Sequence, residues 1–162
     1  MRNILVKNII NSQFKGGKFL RYDLVVIYLF IKNFYKKGKP KSFRYKPYDL
    51  IYKAKEVSKK HIKKEYSKFF SLISSFEEKG YDKEFPITMN KRHYICSGSH
   101  RIVLSIWFGI KEVPVVFNER CRDRKRRHSS AWMRKNGFEK YFSQLKKTKK
   151  IILKRVGVND TS

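Results

Sequence analysis

Arg92-His-Tyr-Ile-Cys-Ser-Gly-Ser-His-Arg-Ile-Val-Leu-Ser-Ile-Trp-Phe-Gly-Ile-Lys-Glu-Val-Pro-Val-Val-Phe117 reads as strand, turn, helix, stop, strand. Tyr94 and Ile95 end a β-branched and aromatic run, Gly98 permits a tight turn, and Ser99 is placed to cap the helix that follows. Ile102, Val103, Ile106 and Trp107 fall at helical spacing, Gly109 supplies a left-handed stop, and Val113 to Phe117 make the next strand. A strand feeding a helix through Gly98-Ser99-His100-Arg101 aims backbone N–H groups, an imidazole and a guanidinium at one point, which is a cradle for phosphate. In that reading Arg101 grips the anion bidentately, and His100 adds a donor or relays a proton. The plainer alternative is a capped strand-to-helix turn with two exposed polar residues. The strand, helix and strand in their right order favour phosphate binding.

Working outward, Asp23 to Tyr35 reads as a strongly apolar helix ended by Lys36-Lys37-Gly38-Lys39-Pro40. A basic loop leads to a second helix from Pro47 to about Lys59. A third spans Ser67 to Lys79, with Phe69, Phe70, Leu72, Ile73 and Phe76 as its stripe and Gly80 as its stop. Phe85 to Asn90 and Lys91 to Cys96 read as two strands of a hairpin. After Phe117 comes a charged loop to His128, then a last helix from Ala131, capped by Ser129 or Ser130, to about Lys147, and a basic tail. The pattern predicts an α+β chain with helices ahead of a small sheet. It reads as one domain over residues 1–162, with its core at about 67–117 and a basic loop, helix and tail over 118–162.

The chain has 162 residues, 40 Lys+Arg against 13 Asp+Glu and a net charge of +27, which implies a polyanion nearby: nucleic acid, an anionic membrane surface, or phosphorylated substrates. The accompanying richness in Asn, Ile, Phe and Tyr is what A·T-rich coding produces, so part of the lysine content follows from composition alone. Drift accounts less readily for arginines at 120, 122, 124, 126 and 127, which read as a solvated loop or as a clamp for phosphates. A hydrophobic content of 41% excludes wholesale disorder. Two cysteines, Cys96 and Cys121, form no disulfide framework by count or spacing, which points to a reducing cytoplasm with Cys96 as a small core residue. His93 and Cys96 lie three apart on a strand and alternate in face, so no metal site is read there. The start lacks a signal-like apolar run, and Leu24 to Ile31 falls far short of the ~20 residues that span a bilayer. The expectation is a soluble cytoplasmic protein, at most peripheral to the inner face of a membrane.

The stretch around Gly98-Ser99-His100-Arg101 resembles the nucleotide-binding core of the ParB/sulfiredoxin-like superfamily, in which a Gly-x-His-Arg or related turn joins a strand to a helix. The similarity covers roughly residues 67 to 117. It is nearest to small ParB-like proteins of bacterial surface-polysaccharide gene clusters, which show an early Arg-x-Asp, here Arg21-Tyr22-Asp23, and a late Trp and Asn-Gly-Phe, here Trp132 and Asn136-Gly137-Phe138.

The resemblance implies a nucleotide, ATP, ADP or CTP with Mg2+, seated on Gly98, Ser99, His100 and Arg101. It further implies transfer of a phosphoryl group to a hydroxyl of a small polar molecule or sugar. Arg21 would steady phosphate charge and Asp23 would accept the hydroxyl proton; the alternative for Asp23 is a helix N-cap, and Glu56, Glu77 and Asp82 are rival bases. Sulfiredoxins carry the attacking Cys where this chain has Ser99, so their redox chemistry is not expected. Free-serine kinases begin the turn with Asp, where this chain has Ser97. About 45 residues follow Phe117, too few for the helix-turn-helix and dimerisation parts of a chromosome-partition protein. Two other readings stand beside the enzyme: a small basic ParB-like DNA-binding module without catalysis, and a nucleotide sensor that binds without turnover.

Overall fold

The elements run β1 (Arg2–Leu5), α1 (Val6–Asn11), β2 (Phe14–Lys15), β3 (Lys18–Phe19), α2 (Tyr22–Lys36), α3 (Lys46–Lys53), α4 (Lys59–Lys79), β4 (Ile87–Met89), β5 (Ile95–Ser97), α5 (Ser99–Trp107), β6 (Glu112–Phe117), α6 (Ser130–Met133) and α7 (Phe142–Val156). They come from a computed structural model that describes residues 1–121 and 128–160. Arg122, Arg124, Arg126 and Arg127 of the expected arginine clamp therefore lie outside the described residues. The architecture is α+β, as expected, with a four-stranded sheet in the order β1-β6-β4-β5, a separate β2-β3 ribbon, and seven α-helices among the described residues, but the helices do not all precede the sheet, because β1 at the start of the chain pairs with β6. None of those helices is long and apolar enough to cross a membrane.

α2 is the centre of the molecule. Its unbroken apolar run from Leu24 to Ile31 is buried on every side, because α3, α5 and α7 pack around it. Phe30, with no exposed surface, meets the rings of Phe43, Tyr48 and Phe69 at 5.0, 4.9 and 4.8 Å, which joins α2, α3 and α4 in one aromatic knot. α4 begins earlier than expected. Ser58 caps it by accepting from the His61 N–H (3.2 Å), and Ile62 and Tyr66 extend the Phe69, Ile73, Phe76 stripe backwards. α3 correspondingly ends at Lys53 rather than near Lys59.

The quoted stretch folds as read, with a shorter first strand and with β6 starting one residue earlier, at Glu112. β4 and β5 form the antiparallel hairpin, and α5 carries the chain back so that β6 lies parallel to β4. The hairpin link is longer than expected because Asn90 organises it: its Oδ1 accepts from the N–H groups of Arg92 and Tyr94, both at 2.9 Å. Gly98 stands at φ 96° with its Cα facing Ile87, and a Cβ there would lie 2.6 Å from Ile87 Cδ1, so the turn into α5 needs glycine twice over.

Three expectations are corrected. Gly98, not Ser99, is the cap position of α5, and Ser99 is its first helical residue, with its hydroxyl turned to another partner. The expected last helix is broken at Asn136 and Gly137 (φ 85°), and α7 then runs to Val156, so the supposed basic tail is helical. Cys96 and Cys121 are joined in a disulfide across 25 residues, with Cys96 half-buried rather than in the core. The topology brings the end of β5 and the turn after β6 together, which spacing in sequence does not reveal. Cysteine usage therefore no longer argues for a reducing compartment.

Candidate functional site

The start of α5 is flanked by two concavities that share Ser99. The first encloses about 550 Å³ and is lined by Arg21, Asp23, Lys55, Tyr94, Ser99, Arg120 and His128, with the Cys96–Cys121 disulfide in its wall. Arg21 is its anchor. Leaving the β2-β3 ribbon, the chain enters α2 through Arg21, whose side chain is 4% exposed and makes five contacts of chemical consequence. Nε and Nη2 donate to the two carboxylate oxygens of Asp23 (2.8 and 2.7 Å), Nη1 donates to Ile95 O of β5 (2.8 Å), and Nη2 also donates to Ser99 Oγ (2.7 Å). The guanidinium lies 5.0 Å from the centre of the Tyr94 ring.

Burial opposes both charges of this pair, yet each holds the other. Burial alone would raise the Asp23 carboxyl, but the Arg21 charge, with help from His128 and the Arg21 hydrogen bonds, carries it well below the usual carboxylate range. Burial likewise works against the Arg21 cation, and Asp23 more than offsets it, raising the guanidinium above its ordinary value. His128 Nδ1 lies 3.4 Å from Asp23 Oδ1, and its ring packs edge-on against Trp132 at 4.9 Å. Lys55 and Arg120 are exposed on the rim, so three permanent cations face one carboxylate.

The second concavity, about 370 Å³, is lined by Glu65, Lys68, Phe69 and Leu72 of α4 and by Ser97 to Arg101. Here His100 packs on Phe69 with 4.4 Å between ring centres, and its Nε2 sits 2.7 Å from the Tyr48 hydroxyl. Burial pushes the imidazole down to about 4, against the pull of the Glu65 carboxylate, so it is neutral at physiological pH. Burial also drives the Tyr48 phenol far above its ordinary value, so that hydroxyl keeps its proton. Arg101 does not join Arg21: its Nη1 donates to Phe85 O and to Pro86 O (3.1 Å), pinning the approach to β4. Ser99 and Arg101 are two residues apart on a helix, about 200° around its axis, so their side chains diverge.

The structure therefore brings Arg21, Asp23 and Ser99 together and sets His100 and Arg101 on the other side of the same helix start. The expected single point of convergence, with Arg101, Ser99 and Arg21 in one concavity, is replaced by two. Arg120 was read as part of a possible phosphate clamp and does line this concavity, whereas Lys55, Tyr94 and the Asp23-bound His128 are neighbours that sequence reasoning missed. No local pattern marks these three, since they come from the turn after α3, the β4-β5 link and the approach to α6. Among the described residues no cluster of three His, Cys, Asp or Glu is placed to hold a metal. The chain matches no known protein family, curated protein or solved structure.

Proposed function

We propose that this chain is a nucleotide-binding protein of the ParB/sulfiredoxin-like kind that holds phosphates at the start of α5. In this reading it transfers a phosphoryl group to a hydroxyl of a small polar molecule or sugar. One observation carries the reading: Ser99, the first residue of α5, lines both concavities and takes its hydrogen bond from a buried arginine. The cations of two walls are thus gathered around one helix N-terminus, where backbone N–H groups favour an anion. Phosphoryl transfer passes through a loose transition state that depends more on positioning and charge than on a strong base. Arg21, Lys55 and Arg120 supply charge on one side, and Arg101 and Lys68 on the other. Asp23, bound to two nitrogens of Arg21, is a positioning residue in this scheme, and its lowered proton affinity makes it a weak proton acceptor. Magnesium, implied by the resemblance, finds no open donor set in the protein: each concavity offers one carboxylate, but Asp23 is held by Arg21 and Glu65 by Lys68, so nucleotide phosphates would have to supply its oxygens. Bound there, it would neutralise phosphate charge.

A second reading, a nucleotide sensor without turnover, is favoured by the state of the two acid–base candidates. Asp23 is held as an ion-paired carboxylate, and His100 is neutral and bound to Tyr48. The test is a thermal-shift panel of ATP, ADP and CTP with Mg2+, followed by an acceptor screen for turnover. A nucleotide at 100 times its Kd should stabilise the fold by about 2.7 kcal/mol, and Lys55→Gln/Arg120→Gln should remove most of that gain. Binding with no turnover on any acceptor would leave the sensor. Stabilisation by duplex DNA, with none by any nucleotide, would overturn both readings in favour of the DNA-binding module.

A further inference from the structure

A third concavity, about 350 Å³, opens between β3, the start of α2 and α7. Five of its lining side chains are cationic: Lys18, Arg134, Lys146, Lys149 and Lys150, with no acid among the lining residues. Phe142, Lys146, Lys149 and Lys150 recur at the spacing of one helical face, so α7 presents them together. The site is built, not a loose surface scatter. Phe142 and Tyr22 are buried among the lining residues, their ring centres 5.4 Å apart. Over the Phe142 ring, Arg134 Cζ stands at 4.3 Å and Lys146 Nζ at 5.4 Å. Lys149 is 5% exposed, and its amine donates to Asp160 Oδ1 (2.9 Å).

The acids packed nearby neutralise two of the five: Glu139 pairs with Arg134, and Asp160 with Lys149. Among the described residues Lys18, Lys146 and Lys150 enter no ion pair. Like charges held in one concavity repel one another and draw in an anion of matching charge density. The concavity is a neighbour of the first one. Arg21 and Asp23 line the first and Tyr22 lines this one; His128 lines the first and Ser130 this one. Between them the Tyr22 N–H donates to His128 O at 3.0 Å.

We propose that Lys18, Arg134, Lys146 and Lys150 form a second oxyanion site, selective for a compact ligand with closely spaced phosphates such as a diphosphate group. It is independent of the site at the α5 start. A diphosphate matches it better than a single phosphate because three uncompensated ammonium groups exceed the charge that one phosphate dianion balances.

The experiment is calorimetric titration of the full chain with inorganic pyrophosphate at physiological salt, on the wild type and two double variants of exposed residues. Lys146→Gln/Lys150→Gln should lose one of two pyrophosphates, or bind it at least about tenfold more weakly, as for two lost charge-assisted contacts. Lys55→Gln/Arg120→Gln should retain this site while weakening the other. If wild type binds one pyrophosphate, lost only in Lys146→Gln/Lys150→Gln, this site stands and the reading of the α5 start falls. If that variant binds pyrophosphate as wild type does, the proposal is overturned. It is equally overturned if the variant weakens duplex DNA binding alone, which would make the face a general polyanion surface.

Discussion

The two sides of the α5 start bury ionisable groups with opposite results. On one side Arg21 and Asp23 enter the interior together and both stay charged, because two hydrogen bonds and full Coulomb attraction replace the water they lose. On the other, His100 is half-buried against Phe69 and Tyr48, and among the described residues no carboxylate pairs with it, so the imidazole gives up its proton. Burial acts against charge in both cases. What differs is whether a partner of opposite sign is within contact distance. The first side thus holds a fixed ion pair, whereas on the second the imidazole is a neutral group backed by aromatic rings.

The largest effect that would break this contrast is loss of one member of the pair. Arg21→Met should destabilise the fold by about 3–5 kcal/mol in urea denaturation, since Asp23 would lose both hydrogen bonds of its main partner and keep only His128 in contact. The double variant Arg21→Met/Asp23→Leu should recover much of that loss. If the double variant is as unstable as the single, the pair is not the reason for the cost.

The histidine side makes a prediction about pH. The folded protein binds the His100 proton less readily than the unfolded chain, whose value is 6.5, so the unfolded state holds more protons between pH 6.5 and about 4. The neutral imidazole's contribution is full above pH 6.5, falls as pH drops toward about 4, and amounts to no more than about 3 kcal/mol. Asp23, held low, adds its own loss at more acid pH, as pH falls through the unfolded carboxyl's 3.8 and below. His100→Gln should flatten the stability profile across the His window while leaving the acid limb in place. A profile unchanged by that substitution would show that His100 does not titrate differently in the two states.

The smallest effect concerns the residue between the two sides. Gly98→Ala should cost about 1–3 kcal/mol, because a left-handed backbone and a crowded Cβ both oppose it. Leu or Ala at Ile87 relieves only the second of these, so Ile87→Ala/Gly98→Ala should fall short of additive in a double-mutant cycle. Strict additivity would mean that the conformation alone, and not contact with β4, demands glycine.

Much of this was legible locally. The strand, Gly98, helix and strand order, the apolar α2 and the stripe of α4 are each written within a short window, and they folded as the patterns require. The limits of elements were read less well where a competing local signal lay outside the apolar pattern, as with Ser58 ahead of α4 and Gly137 inside the last helical region. The candidate site was legible in parts only. Arg21, Asp23 and Ser99 stand out as residues, but the bond from Arg21 to Ser99 spans 78 positions, and nothing in either neighbourhood points to the other.

By itself the sequence determined what depends on near neighbours: helix and strand periodicity, the glycine turn into α5, the α+β character and the excess of positive charge. Only the tertiary structure decided which charges survive burial, that the two cysteines meet, and that Arg101 turns away from Arg21 to the carbonyls ahead of β4. The physical reason is range. Backbone preferences and hydrophobic periodicity act within a turn or two of chain, whereas desolvation, ion pairing and disulfide closure depend on neighbours that only the packed fold supplies.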